Sequence, residues 1–326
     1  MIPSPTRRLH HLLASLALLA VGATTQASTF PTQPITLLVG TPAGGAVDVY
    51  ARIVADGLTA ELGQPVLVEN RSGANGNIAA QNVLQKPADG HTLWVGTQAM
   101  VEINPAAFQH MPWQPADFTP VIRGIQAPLV LVTHPSVPAR TLAELLDWLK
   151  ANPGMGYASF SPGTPSHFLG YQFSESHNLD MVHIPYRGSA PQVTDLVGGH
   201  ALLGFSQIQT ALPMIQDGRL NAIVTTGPER SRHLPTVPTL QELGHPEFNT
   251  TIWFGILANA KTPDDVVATL TAALAKTHAD PQIRTKLEEA GYDVSGETGS
   301  RFAQSIDSSR QRWAELVKAS GFQAAN

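Results

Sequence analysis

The apolar positions of this chain change period several times, and each change marks an element. Four of the five residues in Ile35 to Val39 are apolar and a Gly/Pro cluster bounds the run, which predicts a buried strand. From Val49 the spacing turns helical, with Tyr50, Ile53, Val54 and Leu58 on one face. Between the two stand Gly44 and Gly45, residues able to take backbone angles closed to others. Pro34 to Asp48 therefore reads as strand, glycine turn and helix. That geometry leaves the first N–H groups of the helix unpaired at the mouth of the turn, where the helix dipole favours an anion.

The same design recurs. Gln64 to Glu69 predicts a strand, Asn70 to Asn77 (NRSGANGN) a turn and Ile78 to Leu84 a helix, and Asp89-Gly90 leads into a strand over His91 to Thr97. Later, Gly156 to Phe160 predicts a strand, Ser161 to His167 a turn and Phe168 to Ser176 a helix; Met181 to Tyr186 and the helix from Pro191 repeat the pattern. Thr141 and Glu144 have capping-box spacing ahead of a helix with Leu142, Leu145, Leu146 and Leu149 inward. Short strands follow at Ala201 to Ser206 and Asn221 to Thr226, then a Pro-rich loop from Gly227 to Pro246. Helices are expected from Pro263 with Thr262 as cap, from Pro281, and from about Ser300 to Lys318 with Phe302, Ile306, Trp313 and Leu316 inward.

Strands alternating with helices predict parallel sheets whose ligands sit at the carboxyl ends of the strands. Two β-type stretches break the alternation: Phe118 to His134, in two apolar pieces, and Thr251 to Ala258. Taken as an outward and a return crossing, they give an α/β fold of two lobes hinged on two crossing β-segments, a clamshell. Lobe 1 is then discontinuous, 28–124 and 250–326, and lobe 2 is 125–249.

Composition adds the compartment. Residues 1–27 read as a signal peptide, with Arg7 and Arg8, the apolar run Leu12 to Ala23 and small residues at Thr25-Gln26-Ala27, so an exported chain starting near Ser28 is expected. Losing the two arginines of that leader takes the net charge from −5 to −7. With no basic stripe, this is no nucleic-acid binder. The absence of cysteine excludes disulfides and thiol catalysis.

Enzymatic signatures are thin. There is no G-x-S-x-G elbow and no H-E-x-x-H, H-x-H or H-x-x-x-H, and Ser166 beside His167 is a neighbour pair whose side chains diverge on a helix. No metal and no cofactor is expected. One helix terminus offers an anion at most about 2 kcal/mol, whereas micromolar affinity needs about 8 kcal/mol, so opposed termini, side-chain donors and exclusion of water must combine. Asp48, in the first helical turn, either complements the dipole or orients water or a ligand amine.

The blocks GTPAGGAVDVYARIVADGL, LGQPVLVENRSGANGNIAA, ADGHTLWVGT, INPAAF, IPYRGSAPQVTDLVGG and RHLPTVPTLQELG together resemble the Bug, or TctC-like, family of periplasmic solute-binding receptors of tripartite tricarboxylate transporters. The resemblance runs from about Pro34 to the C-terminal helix. It implies a type II periplasmic-binding-protein clamshell in the periplasm and no catalysis. It also implies a small carboxylated solute held by backbone amides and bridging waters, transient contact with integral membrane transport subunits, and a monomer. Carried over, its first anion loop falls on Pro42, Ala43, Gly44 and Gly45 with Asp48 behind, its third turn on Thr97 and Gln98, and its second-lobe loop on Ser161, Gly163, Thr164 and His167. Tyr186, Arg187 and Ser189 lie in a matching block, where they, like His167, either touch ligand or support the loops. The chain departs from the family pattern at Gly40 and Thr41, and at Leu202 and Ser206, where the family often has aspartates. Besides import, two readings stay open: a ligand-sensing receptor for a membrane sensor kinase, and an exported α/β enzyme.

Overall fold

The computed structural model describes residues 30–324. The leader expected over 1–27 lies outside the described residues. In chain order the elements are β1 (Ile35–Val39), α1 (Ala46–Leu62), β2 (Val66–Asn70), α2 (Asn77–Leu84), β3 (Thr92–Thr97), a π-turn (Ala99–Ile103), the short α3 (Asn104–Ala107) and β4 (Phe118–Thr133). Then come α4 (Leu142–Ala151), β5 (Met155–Ser159), α5 (Pro165–Ser176), β6 (Met181–Pro185), α6 (Ser189–Val197), β7 (Leu203–Gln207), α7 (Ile208–Gln216) and β8 (Asn221–Thr225). The chain closes with β9 (Thr251–Asn259), α8 (Asp264–Ala279), α9 (Pro281–Glu289), β10 (Asp293–Thr298) and α10 (Gly299–Ser320).

The strands form one curled sheet, β2-β1-β3-β9-β4-β7-β5-β6, with β10 and β8 both on β4. It has two similar halves. β1, β2 and β3 are mutually parallel and meet antiparallel β9; β5, β6 and β7 are mutually parallel and meet antiparallel β4. The two apolar pieces expected over Phe118 to His134 are a single 16-residue strand. Its partners change midway: Phe118 to Pro128 pair with β9, and from Leu129 onward with β7 and, from Val130, β8. Proline removes a ladder donor and is confined to irregular places in sheets. Here Pro120 sits at a register shift and Pro128 at the change of partner.

Thr226 stitches that junction. Its hydroxyl accepts from the Leu129 N–H at 2.9 Å and donates to the Thr250 carbonyl at 2.7 Å, and its backbone bonds Leu129 and Thr250 again. β9 starts at the next residue after Thr250 and runs beside β3 and the first part of β4.

The Thr141 capping box is present, and Leu142, Leu145 and Leu149 are buried beneath it while Leu146 is only half-buried. α8 begins at Asp264 with Pro263 as its N-cap, so Thr262 is no cap there. In α10 the buried stripe is Phe302, Ile306, Trp313 and Val317, with Val317 in the place expected of Leu316. β10 was not legible in the sequence. Its residues DVSGET carry no apolar alternation, and a register shift between Val294 and Glu297 spans Gly296 at φ +65°.

Candidate functional site

Six helical segments follow the carboxyl ends of the parallel strands β1, β2, β3, β5, β6 and β7, and none is capped by the side chain of its N-cap residue: these are Gly45, Gly76, Gln98, Thr164, Gly188 and Gln207. Elsewhere α4 and α9 are capped by Thr141 and Asp280, whereas α8 and α10 also start without a side-chain cap. Uncapped first turns leave N–H groups free for an anion.

Within the first half the three turns are packed together. A Cβ on Gly40 would lie 2.7 Å from the Cα of Gly76 and 3.1 Å from Met100 Cε, so glycine at 40 and 76 is what lets the turns after β1, β2 and β3 touch. Asp48 is 2% exposed and fully engaged. Its carboxylate accepts from the Gly44 N–H at 2.9 Å, from Arg52 at 2.9 and 3.0 Å and from Asn70 Nδ2 at 2.9 Å. Burial alone would raise the Asp48 carboxyl, but these donors outweigh it and hold the group below the usual carboxylate range. Asp48 thus fastens the loop, and the Gly44 N–H is turned toward it. Gly44 has φ +80° and needs glycine, whereas Gly45 at φ −76° does not, which corrects the expectation that both take closed angles. Pro42, Ala43 and Gly44 are exposed, and the Asn70 amide also holds the Thr41 carbonyl.

In the second half Gly163, at φ +70°, Thr164 and His167 are buried. The Thr164 hydroxyl donates to the Ser161 carbonyl at 2.6 Å, and the Gly163 N–H donates to His167 Nδ1 at 3.3 Å. An accepting Nδ1 is unprotonated, so His167 is neutral with its proton on Nε2. Its ring stacks at 3.9 Å on His183, which exchanges a 2.7 Å hydrogen bond with Ser159. Burial lowers both histidines, His167 to about 3 with help from His183, and His183 to about 4. The pair offers hydrogen bonds and no charge. Ser166 donates to the Phe205 carbonyl at 2.6 Å, so its hydroxyl ties α5 to β7.

The two halves meet at these loops. The Cβ position of Gly163 lies 3.7 Å from Asn75 Nδ2 in the turn after β2, and 3.1 Å from Phe322, whose ring also stands edge-on to His167 at 4.9 Å. Asn75 is held by Asn104 through bonds of 2.7 and 3.0 Å. The loop after β6 is tied to the loop after β5 by Tyr186 N–H to Ser159 O and Gly188 N–H to Phe160 O. Tyr186 packs its ring on the cluster around Val193 and Leu196, with its hydroxyl at Asp195, an arrangement of loop support. Arg187 is exposed, and Ser189 accepts from Thr210 at 3.0 Å. Thr97 caps the Met100 N–H at 3.3 Å, and Gln98 beside it is 6% exposed.

Buried polar atoms without a protein partner gather at the same strand ends: Thr41 Oγ1, Gln98 Oε1 and Ser206 Oγ. Enclosed groups of this kind call for an explanation. Sequence reasoning missed Asn75, His183 and Phe322 as neighbours of the site. Asn75 lies in the glycine-rich turn predicted over Asn70 to Asn77; the other two reach the site only through the fold. Among the described residues no cluster of His, Asp or Glu could hold a metal ion.

The chain is similar along its length to proteins of this architecture. BugT from Bordetella pertussis is 32% identical over 324 residues, 97% of this chain and 98% of that protein. An R. palustris protein solved with adipate superposes with a TM-score of 0.83 at 30% identity, covering 90% of this chain and 99% of that one. MatC from Rhodopseudomonas palustris, with bound malate, superposes with a TM-score of 0.78 at 29% identity, covering 88% and 100%. The family model described as tripartite tricarboxylate transporter family receptor matches residues 50–322. With that match over most of its length and BugT-like identity throughout, the chain belongs to the tripartite tricarboxylate transporter receptor family.

Proposed function

We propose that the protein is a periplasmic receptor that captures a small dicarboxylate between its two half-sheets and presents it to the membrane subunits of a tripartite transporter, without catalysis and as a monomer. The observation that carries this reading is the meeting of uncapped helix starts from both halves, Gly163 beside Asn75, with Thr41, Gln98 and Ser206 supplying unpartnered polar atoms. In this reading lobe 1 is 28–124 with 250–326, and lobe 2 is 125–249. The ligand residues are Pro42, Ala43, Gly45, Thr97, Gln98, Ser161, Gly163, Thr164 and His167; Gly44, Asp48 and Tyr186 act by holding the loops. Adipate and malate in the related structures favour a dicarboxylate. Arg52 is paired with Asp48 and Arg187 is exposed in the loop after β6, so an acid would be held mainly by amide and hydroxyl dipoles.

A thermal-shift panel of mono-, di- and tricarboxylates, aromatic acids and amino acids tests the reading. A bound acid at 100 times its dissociation constant adds about 2.7 kcal/mol of stability. A dicarboxylate that raises the melting temperature and is recovered unchanged is the expected result. No response to any acid, or turnover of one, contradicts it.

A further inference from the structure

Glu102 lies in the π-turn directly after the third candidate turn and is 1% exposed. Its Oε1 accepts from Trp253 Nε1 on β9 at 2.7 Å, while its Oε2 has no partner among the described residues. Gln98, four residues earlier, lies within hydrogen-bonding reach of this carboxyl, and its own Oε1 is also enclosed without a partner. Gln98 and Ser309 act as donors to the ionised carboxyl, which commits the Gln98 N–H₂ to it and leaves Oε1 as the end without a partner. A proton on Glu102 Oε2 reverses the pairing, because that oxygen then donates and Gln98 Oε1 accepts. When Glu102 is ionised, it can only accept, and the Gln98 amide must present Nε2 instead. Either way the opposite end of the amide is turned away from Glu102.

We propose that Glu102 is a positioning residue for Gln98: the proton on its carboxyl decides whether the Gln98 amide presents its N–H₂ or its C=O to the candidate site. The inference rests on the carboxylate-site reading for Gln98. With Glu102 protonated the site gains a donor suited to an anion; with Glu102 ionised it gains an acceptor that repels one. The groups facing Glu102 are Trp253 from β9, Ser309 from α10 and Arg123 from β4, which itself pairs with Glu297 of β10 at 3.3 Å. Burial dominates, pushing the carboxyl up to about 7 against the opposing pull of Ser309, Trp253, Gln98 and Arg123. The switch therefore falls near neutrality.

The test needs no ligand for its first arm. In the full mature chain, glutamine side-chain amides are ¹⁵N-labelled, Gln98 is assigned by its loss in Gln98→Glu, and Glu102 is followed by its ¹³Cδ shift from pH 5 to 9. The Gln98 amide should titrate with the midpoint of Glu102. In Glu102→Gln it should not titrate, and in Trp253→Phe, where a bond favouring the ionised form is lost, both midpoints should rise together. A Gln98 amide that is flat with pH in the unmodified protein overturns the proposal, as does one that titrates unchanged in Glu102→Gln. Calorimetry with adipate and malate is the second arm. If only the protonated form binds, affinity falls about tenfold between pH 6 and 8, and Glu102→Gln removes the fall. Binding that is equally strong at pH 6 and 8 contradicts the switch. Failure of both acids to bind at any pH contradicts the carboxylate reading of the site, while the amide titration still decides the coupling.

Discussion

At the scale of single residues, the polar groups around the candidate site divide into those already committed to protein partners and those with spare valence. Asp48 belongs to the first kind. Replacing it with Asn removes the charge from a buried cluster of four donors, and hydrogen bonds to charged groups are worth about 1.5–3 kcal/mol. Arg52 is half exposed, so its ion pair adds little beyond the bonds themselves. Asp48→Asn should lower stability by about 1–3 kcal/mol in urea unfolding at pH 7. Because the folded carboxyl sits below its unfolded value, that difference is present above the unfolded value and should disappear as pH falls through the folded one. A difference that persists undiminished at pH 2 contradicts the assignment. The buried histidines act in the opposite range. Burial holds His167 at about 3 and both His183 and His278 at about 4, so below about pH 6.5 the unfolded chain takes up protons that the folded one refuses. Each costs up to about 1.4 kcal/mol per pH unit there. Glu102, raised to about 7, works the other way between about 4.5 and 7, and three against one leaves stability rising with pH from about 4.5 to 6.5. Equal unfolding midpoints at pH 5 and 7 would count against this balance.

At the scale of elements, local patterns were legible and distant contacts were not. The strand, turn and helix successions, the Thr141 capping box and the crossing over Phe118 to His134 follow from period and turn chemistry, which are properties of neighbours in the chain. The approach of Gly40 to Gly76, the stacking of His167 on His183 and the bond from Trp253 to Glu102 join residues from different elements, and no spacing announces them. The same holds for the site: its loops could be read, but which of their N–H groups are spent could not, since only the folded turn brings Gly44 to Asp48. β10 was hidden for another reason, because it pairs with β4 through its backbone and buries little of its polar side chains. Thr226 gives the element scale its test. Thr226→Val leaves the Leu129 N–H and Thr250 carbonyl buried without the hydroxyl, at about 1–3 kcal/mol for each. Thr226→Ser keeps both bonds and should stay within about 1 kcal/mol of the unmodified protein. Equal urea midpoints for the two variants would remove Thr226 from the junction's account.

At the scale of the whole molecule, two similar half-sheets share one long strand and set their uncapped helix starts against each other. If the halves close on a solute, contacts that bridge them must form and break with it: Arg232 to Glu288 and Asp293 on one side, Tyr171 to the Ala319 carbonyl on the other. Small-angle scattering should then give a smaller radius of gyration with the stabilising acid than without it, and identical profiles would argue for a rigid receptor. The central claim is that one carboxylated solute is held by backbone amides of both halves. The measurement that reaches it most directly is a ¹⁵N–¹H titration of the mature protein with the dicarboxylate that gives the largest thermal shift. The amide protons of Ala46 and Val47 and of Thr164 and Ser166 should move downfield together, with one dissociation constant, as hydrogen bonds to carboxylate form. Shifts confined to one of the two loops, or found elsewhere while both stay still, would contradict the claim.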